Sequence, residues 1–357
     1  MKKVSFAFSL IGNCLIAAAI LLITLHSSIL VIKKIKKENL YYVLLNDYQK
    51  KNYSHLENTE ISDLLKNTWY RQYQYSRLTG FSEGPSQSDF VNVNNFGIRS
   101  NSKENFVNYK DLKNTIWFFG GSTTFGYGVE DFNTIPAKLE KILNQKVINF
   151  GAGFYYSAQE NILLNTYLFT HKPKMVIFLD GLNERCEMEV YEAEFQKIFE
   201  QAQINYKWRL QEVMAPLFFY AKKLNLTSIN DQNFEKSKKK LCSKNGKKFS
   251  LDEIVDKNLK DRKQICEKYK VECITFLQPF PRIHVSHLDK TSLPEATATR
   301  YKEKYNTIKN TFLKYEAIEL NKPFENLEEH FFVDNHHYSK KANTILAKSI
   351  SEILINK

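Results

Sequence analysis

From about residue 110 onward the chain repeats one pattern, a short apolar run closed by Gly, Pro, Asn or Asp and followed by a stretch with helical spacing. The apolar runs are 115–119, 147–150, 175–179, 273–277 and 317–320, all of strand length. The helical stretches are 136–143, 158–169, 251–269 and 296–315, with a last one at 339–354. Strands alternating with helices predict a parallel sheet covered on both faces, and near-continuous apolar strands fit burial on both sides. In such a sheet chemistry gathers beyond the carboxyl ends of the strands. Those ends are where candidate site residues are sought.

Two regions depart from this rhythm. Residues 185–250 read as a largely helical insertion between the third and fourth strands, with lysines 236, 238–240, 244, 247 and 248 forming a solvated face. At the other end, residues 4–32 contain no Asp, Glu, Lys or Arg. A helix of that length exceeds the ~30 Å hydrocarbon core of a bilayer, which predicts one N-terminal transmembrane helix and a single-pass membrane protein. The run is too long for the apolar part of a signal peptide, and apolar sequence continues after Ala17, Ala18 and Ala19. Lys2 and Lys3 flank one end, and Lys33, Lys34, Lys36 and Lys37 the other. Charge alone would keep the second flank in the cytoplasm. The expected organisation is an anchor at 1–37, a stalk and N-terminal subdomain at 38–110, and a catalytic domain at 111–357 carrying the insertion.

The formal net charge is +12, from 51 Lys and Arg against 39 Asp and Glu. No zinc-finger spacing, aromatic RNA-binding motif or compact basic helix accompanies that charge, so nucleic acid is not an expected partner. Five cysteines occur, none in C-x-x-C spacing. Cys14 lies in the apolar run. Cys186, Cys242, Cys266 and Cys273 could form two disulfides in an oxidising compartment; free thiols are the preferred reading, because a domain of this size needs no staples.

Directly after the first strand comes Gly120-Gly121-Ser122-Thr123-Thr124-Phe125-Gly126. A phosphate loop would need a G-K-[ST] ending, and no lysine is present. A G-x-S-x-G elbow would need glycine where Thr124 stands. What remains is a serine presented at a strand's carboxyl end before a helical turn. The second strand closes on Asn149-Phe150-Gly151-Ala152-Gly153, and the third on Asp180-Gly181-Leu182-Asn183-Glu184. Asp334-Asn335-His336-His337 stands just before the last helix.

These four ordered blocks resemble the SGNH/GDSL hydrolase superfamily over about residues 115–180 and 270–357. Ser122 matches the nucleophile block, Gly151 to Gly153 the glycine block, Gly181 and Asn183 the G-x-N-[DE] block, and Asp334 and His337 the D-x-x-H block. Asn95-Phe96-Gly97-Ile98-Arg99 and Gln278-Pro279 resemble segments of membrane-anchored members. The resemblance implies a flavodoxin-like three-layer α/β sandwich with a five-stranded parallel sheet. It also implies a serine esterase or O-acyltransferase that uses no cofactor.

On that reading His337 takes the Ser122 proton, and Asp334 orients the imidazole. The Ser122 N–H, an N–H of the glycine block and the Asn183 amide bind the oxyanion. In many relatives the glycine block reads N-x-G-x-x-G, which places Phe154 at the last glycine, so the donor is Gly153 or Phe154, with Gly153 preferred. The competing readings are specific: Asn183 as a helix cap, His336 as the base, and His330, His336 and His337 as metal ligands. The D-x-x-H spacing selects His337, and no further ligand pattern supports a metal. The expected partners are the membrane and an acylated small molecule, glycan or lipid of the cell envelope. The resemblance places the catalytic domain outside the cytoplasm, against the charge bias. A catalytically silent glycan-binding module is the alternative.

Overall fold

The computed structural model describes residues 16–18, 20–28, 45, 47–69, 71–104, 106–185, 242–244, 247–280, 283, 295–321, 324, 331–334 and 336–356. The chain divides into two compact units, Met1–Lys66 and Asn67–Lys357.

In the first unit, residues 16–18 and 20–28 are helical. Ile16, Ile20, Leu21, Leu22, Ile23 and Leu25 are all more than half exposed. Among the described residues no helix is long and apolar enough to cross a membrane. The predicted transmembrane helix is therefore not found there, and the remainder of the 4–32 run lies outside the described residues. Helix α1 (Asn58–Trp69) closes this unit and enters the next.

The second unit begins with a hairpin of β1 (Tyr73–Ser76) and β2 (Gly80–Glu83). Isolated bridges then link Ser86 to Val93, Val93 to Arg99, and Arg99 to Asn149. Strands β3 (Ile116–Gly120), β4 (Val147–Asn149) and β5 (Met175–Asp180) follow. A second hairpin, β6 (Cys242–Lys244) with β7 (Lys247–Phe249), precedes β8 (Cys273–Leu277) and β9 (Ile318–Glu319). The main sheet has five parallel strands in the order β4-β3-β5-β8-β9. The five strands match the five apolar runs, and the second strand in sequence lies outside the first. Of the predicted insertion, residues 186–241 and 245–246 lie outside the described residues.

The pleat explains the three layers, because successive side chains of a strand point to opposite faces. Ile116, Phe118, Ile177 and Leu179 face α3 (Ile135–Leu143) and α7 (Lys340–Ile355). Trp117, Phe119, Val176 and Phe178 face α4 (Ser157–Leu168) and α5 (Leu251–Tyr269). Helix α6 (Glu295–Lys314) packs on α5 through Tyr301, Tyr305, Ile308 and Phe312. Helix ends are set locally. Thr134 accepts the Ala137 N–H at the start of α3, Ser339 that of Ala342 at the start of α7, and Glu253 takes the Ser250 N–H at 2.8 Å before α5.

One sequence expectation is overturned here. Cys266 and Cys273 are not free thiols but are joined in a disulfide. It ties the end of α5 to the start of β8, across the turn at Lys270, which takes a left-handed conformation at φ +51. Domain size argues that a disulfide is unnecessary, but it does not prevent one where two cysteines flank a tight helix–strand turn. Closing so short a loop restricts the unfolded chain by about 2 kcal/mol. A double Cys266→Ser, Cys273→Ser variant should lose about that much stability in urea unfolding. An unchanged midpoint would show that the turn is fixed without the bond.

Candidate active site

Ser122 is the first residue of α2 (Ser122–Phe125), a single turn that follows β3 directly. Gly121 precedes it because a Cβ there would collide with the Asn183 side-chain amide. That close approach brings the third block against the first. The Asn183 Nδ2 donates to the Tyr155 carbonyl at 2.9 Å, so this amide links the second and third strand ends.

Asp334 builds its own turn. Its Oδ1 accepts the N–H groups of His336 and His337 at 2.8 and 2.7 Å, while its Oδ2 meets His337 Nδ1 at 2.6 Å. The other ring nitrogen, Nε2, lies 2.8 Å from Ser122 Oγ. The structure thus brings Ser122, His337 and Asp334 into one hydrogen-bonded line. His337 is 4% exposed, stacked on Tyr127 at 5.2 Å and met edge-on by Trp69 at 5.9 Å. Burial alone would raise the Asp334 carboxyl. The charges of His337 and His336 and the hydrogen bonds from both outweigh it and hold the group well below the usual carboxylate range. Burial, with the neighbouring His337 charge, pushes His336 down to about 4. At neutral pH His336 is therefore uncharged, and it makes no contact with Ser122.

The glycine block differs from the expectation. The Gly153 N–H is donated to Glu83 Oε1 at 2.6 Å, so it is not available to an oxyanion. Gly151 N–H goes to Asn149 Oδ1, Ala152 N–H to the Gly120 carbonyl and Tyr155 N–H to the Ala152 carbonyl. Among the described residues, the Phe154 N–H is the amide of this loop left without a partner. Phe154 takes φ +65, a left-handed conformation that favours glycine.

Asp334, His336 and His337 place ligand atoms within 4.8 Å of one another. Both His337 nitrogens are already engaged, by Asp334 and Ser122, so a cation there would have to break one of those bonds. The group does not fit a metal without dismantling the line.

Other residues frame the site, and of these Arg99, Gln278, Asp180 and Glu184 lie in segments that the sequence singled out. Arg99, from the Asn95–Arg99 segment, is fully buried. It pairs with Asp131 at 2.8 Å and donates to the carbonyls of Phe125, Gly126 and Val129 at 2.7–2.8 Å, clamping the chain just after α2. Gln278 accepts the Thr123 hydroxyl at 3.0 Å, tying β8 to the residue after Ser122. Glu83, Arg71, Tyr73 and Tyr127 form a second group, for which spacing offered no clue. Behind Asn183, Arg262 pairs with Asp180 at 2.6 Å and Glu160 at 3.0 Å. Glu184 accepts both the N–H and the hydroxyl of Ser157.

That cluster holds three buried carboxylates near one guanidinium. Burial first, then the Asp180 charge, pushes Glu184 up to about 7, and the same causes raise Glu160. Unfolded, Glu184 would titrate near 4.5. Between these values the folded protein binds more protons than the unfolded chain, so stability falls as pH rises. Two groups act in the opposite sense: His336, pushed down to about 4, between about that value and 6.5, and the half-buried Lys304, pushed down to about 8, toward and above that value. Relative to wild type, Glu184→Gln should therefore gain in urea midpoint as pH rises from about 5 to about 8. An identical pH dependence in the variant would remove Glu184 as a contributor.

No protein family matches the sequence, and no curated protein does either. Solved structures resemble the fold at low identity. The lipase/acylhydrolase from Enterococcus faecalis is 14% identical, with 68% of this chain and 96% of that one covered and a TM-score of 0.39. The acetyl xylan esterase AlAXEase is 12% identical, covering 67% and 99%, at 0.37. The SGNH-hydrolase family esterase AlinE4 is 15% identical, covering 68% and 96%, at 0.34.

Proposed function

We propose that the chain is an SGNH-type serine esterase, acting on ester bonds of an acylated glycan or lipid through an acyl-enzyme. The observation that carries this reading is the line Ser122 Oγ–His337 Nε2–Asp334, with the Asn183 amide beside it. A serine hydroxyl is a weak nucleophile until a base takes its proton. As Oγ attacks the ester carbonyl, His337 Nε2 accepts that proton, and Asp334 stabilises the resulting imidazolium. The oxygen of the tetrahedral intermediate takes hydrogen bonds from the Ser122 N–H, the Phe154 N–H and Asn183 Nδ2. The proton on Nε2 then passes to the leaving alcohol. Water, or a sugar hydroxyl, resolves the acyl-enzyme by the same steps in reverse, so O-acyl transfer uses the same residues.

The catalytically silent alternative lacks a specific observation in its favour, because a binding cleft has no need of a base hydrogen-bonded to a serine. In a folded Ser122→Ala protein, cleavage of p-nitrophenyl acetate and labelling by a fluorophosphonate should both be lost. His337→Ala should be comparably damaging, since members of such a unit act together. Retained turnover in Ser122→Ala would falsify the assignment.

We further propose that the N-terminal segment is a membrane anchor and that the catalytic unit lies outside the cytoplasm. The uncharged run and the exposed apolar side chains from Ile16 to Leu25 support the anchor. The Cys266–Cys273 disulfide supports an oxidising compartment. An alkaline phosphatase fused after residue 357 should be active, since that reporter works only after export. An inactive phosphatase fusion with a bright cytoplasmic fluorescent-protein fusion would reverse the orientation.

A further inference from the structure

We propose that Glu83 is a positioning residue that sets the oxyanion loop and the general base together, through its bonds to the Gly153 N–H and the Tyr127 hydroxyl. The proposal rests on the esterase reading, since it assigns a task within that site.

Glu83 ends β2 and is completely buried. A carboxylate taken out of water must be paired. One oxygen is paired with Arg71, whose guanidinium lies 4.4 Å from the centre of the Phe125 ring in α2. An ion pair kept for stability alone would need nothing more. The other oxygen, Oε1, takes the Gly153 N–H at 2.6 Å and the Tyr127 hydroxyl at 3.3 Å. Tyr127 Oη also meets Tyr73 Oη at 2.7 Å.

Two consequences follow at the site. With its N–H drawn to Glu83, Gly153 is fixed, and the chain turns at Phe154 into the left-handed region. A residue with a Cβ does not adopt that conformation freely. Something must hold the turn, and the Glu83 bond fixes the Ala152–Gly153 peptide, one peptide before the one that carries the Phe154 N–H. The turn leaves the Phe154 N–H unpartnered among the described residues. Gly153 itself has no room for a side chain, because a Cβ would strike the hydroxyls of Tyr127 and Tyr73. The second consequence concerns the base. Tyr127, held by its hydroxyl, lies almost flat on His337, at 19° and 5.2 Å. That contact limits rotation of the imidazole away from Ser122. One carboxylate therefore governs the loop that stabilises the oxyanion and the ring that carries the proton.

The test compares wild type, Glu83→Ala and Glu83→Gln on p-nitrophenyl acetate, with Ser122→Ala as the inactive control. Glu83→Ala should lose about 100-fold in kcat, the effect of removing one oxyanion donor. KM should change little, because those bonds form in the transition state and not with bound substrate. In Glu83→Gln a carbonyl oxygen can still accept from Gly153, while the charge opposite Arg71 is gone. Its kcat should stay near wild type while its thermal stability falls. Activity would then follow the acceptor and stability the charge. A folded Glu83→Ala with wild-type kcat overturns the proposal. So does a Glu83→Gln that loses activity as far as Glu83→Ala does. Should Glu83→Ala not fold, the folded Glu83→Gln decides, with near-wild-type kcat supporting the proposal and a loss of about 100-fold overturning it. A wild-type protein with neither turnover nor serine labelling would instead remove the esterase reading itself.

Discussion

The hydrogen bond between Ser122 Oγ and His337 Nε2 joins residues 215 positions apart. It can form only if the end of the first sheet strand and the turn before the last helix reach the same point. The parallel sheet arranges this. With β3 flanked by β4 and β5, the carboxyl ends of three strands open on one edge. Helix α7 packs beside α3 on one face, so the turn preceding α7 lies over that edge. Tyr338 anchors the turn by donating to the Pro279 carbonyl at 2.7 Å, just beyond β8. Asp334 does double work there, capping two backbone N–H groups with one oxygen and fixing the imidazole with the other. The local fold of the turn and the orientation of His337 are thus one constraint.

Around this contact, among the described residues, charge is buried in three separate places: Arg99 with Asp131, Arg71 with Glu83, and Arg262 with Glu160 and Asp180. Buried ion pairs add little net stability compared with well-packed apolar groups, but removing one partner costs about 3–5 kcal/mol. Their value here lies in direction. Arg99 gathers three carbonyls after α2, Glu83 captures an amide in the glycine loop, and Arg262 sits under the strand end that carries Asn183. Each guanidinium or carboxylate holds a different loop of the site. Short loops at the edge of a sheet have few apolar contacts of their own, and directional bonds to buried charges supply what packing does not.

How much was legible in the sequence follows from this division. The five strands were readable because burial on both faces demands continuous apolar runs. Ser122, Asn183, Asp334 and His337 were readable because each stands in a local block at a strand end or helix start. Glu83 and Tyr127 were not, since they act through contacts with residues 70 and 44 positions away, and one buried glutamate in a polar stretch looks like any surface glutamate. Disulfides among the four cysteines were open to the sequence, but their pairing was not, because what joins Cys266 to Cys273 is that the two flank one turn. Gly153 was preferred as a donor because it is a glycine in a glycine block. The structure shows that its missing side chain serves two tyrosine hydroxyls instead.

The left-handed phenylalanine at 154 carries a final implication. Left-handed backbone costs a residue with a Cβ about 1 kcal/mol, and the loop meets this from both sides. Glu83 holds the amide before Phe154, and Arg185 donates to the Phe154 carbonyl at 2.8 Å. The Phe154 ring is about half exposed, 6.3 Å from Tyr73, so the side chain presents apolar surface beside the unpartnered N–H. Arg185 is also where the predicted insertion begins. The loop is therefore bonded on one side of Phe154 to the N-terminal hairpin and on the other to Arg185, so directional bonds from both segments set the backbone around one left-handed residue.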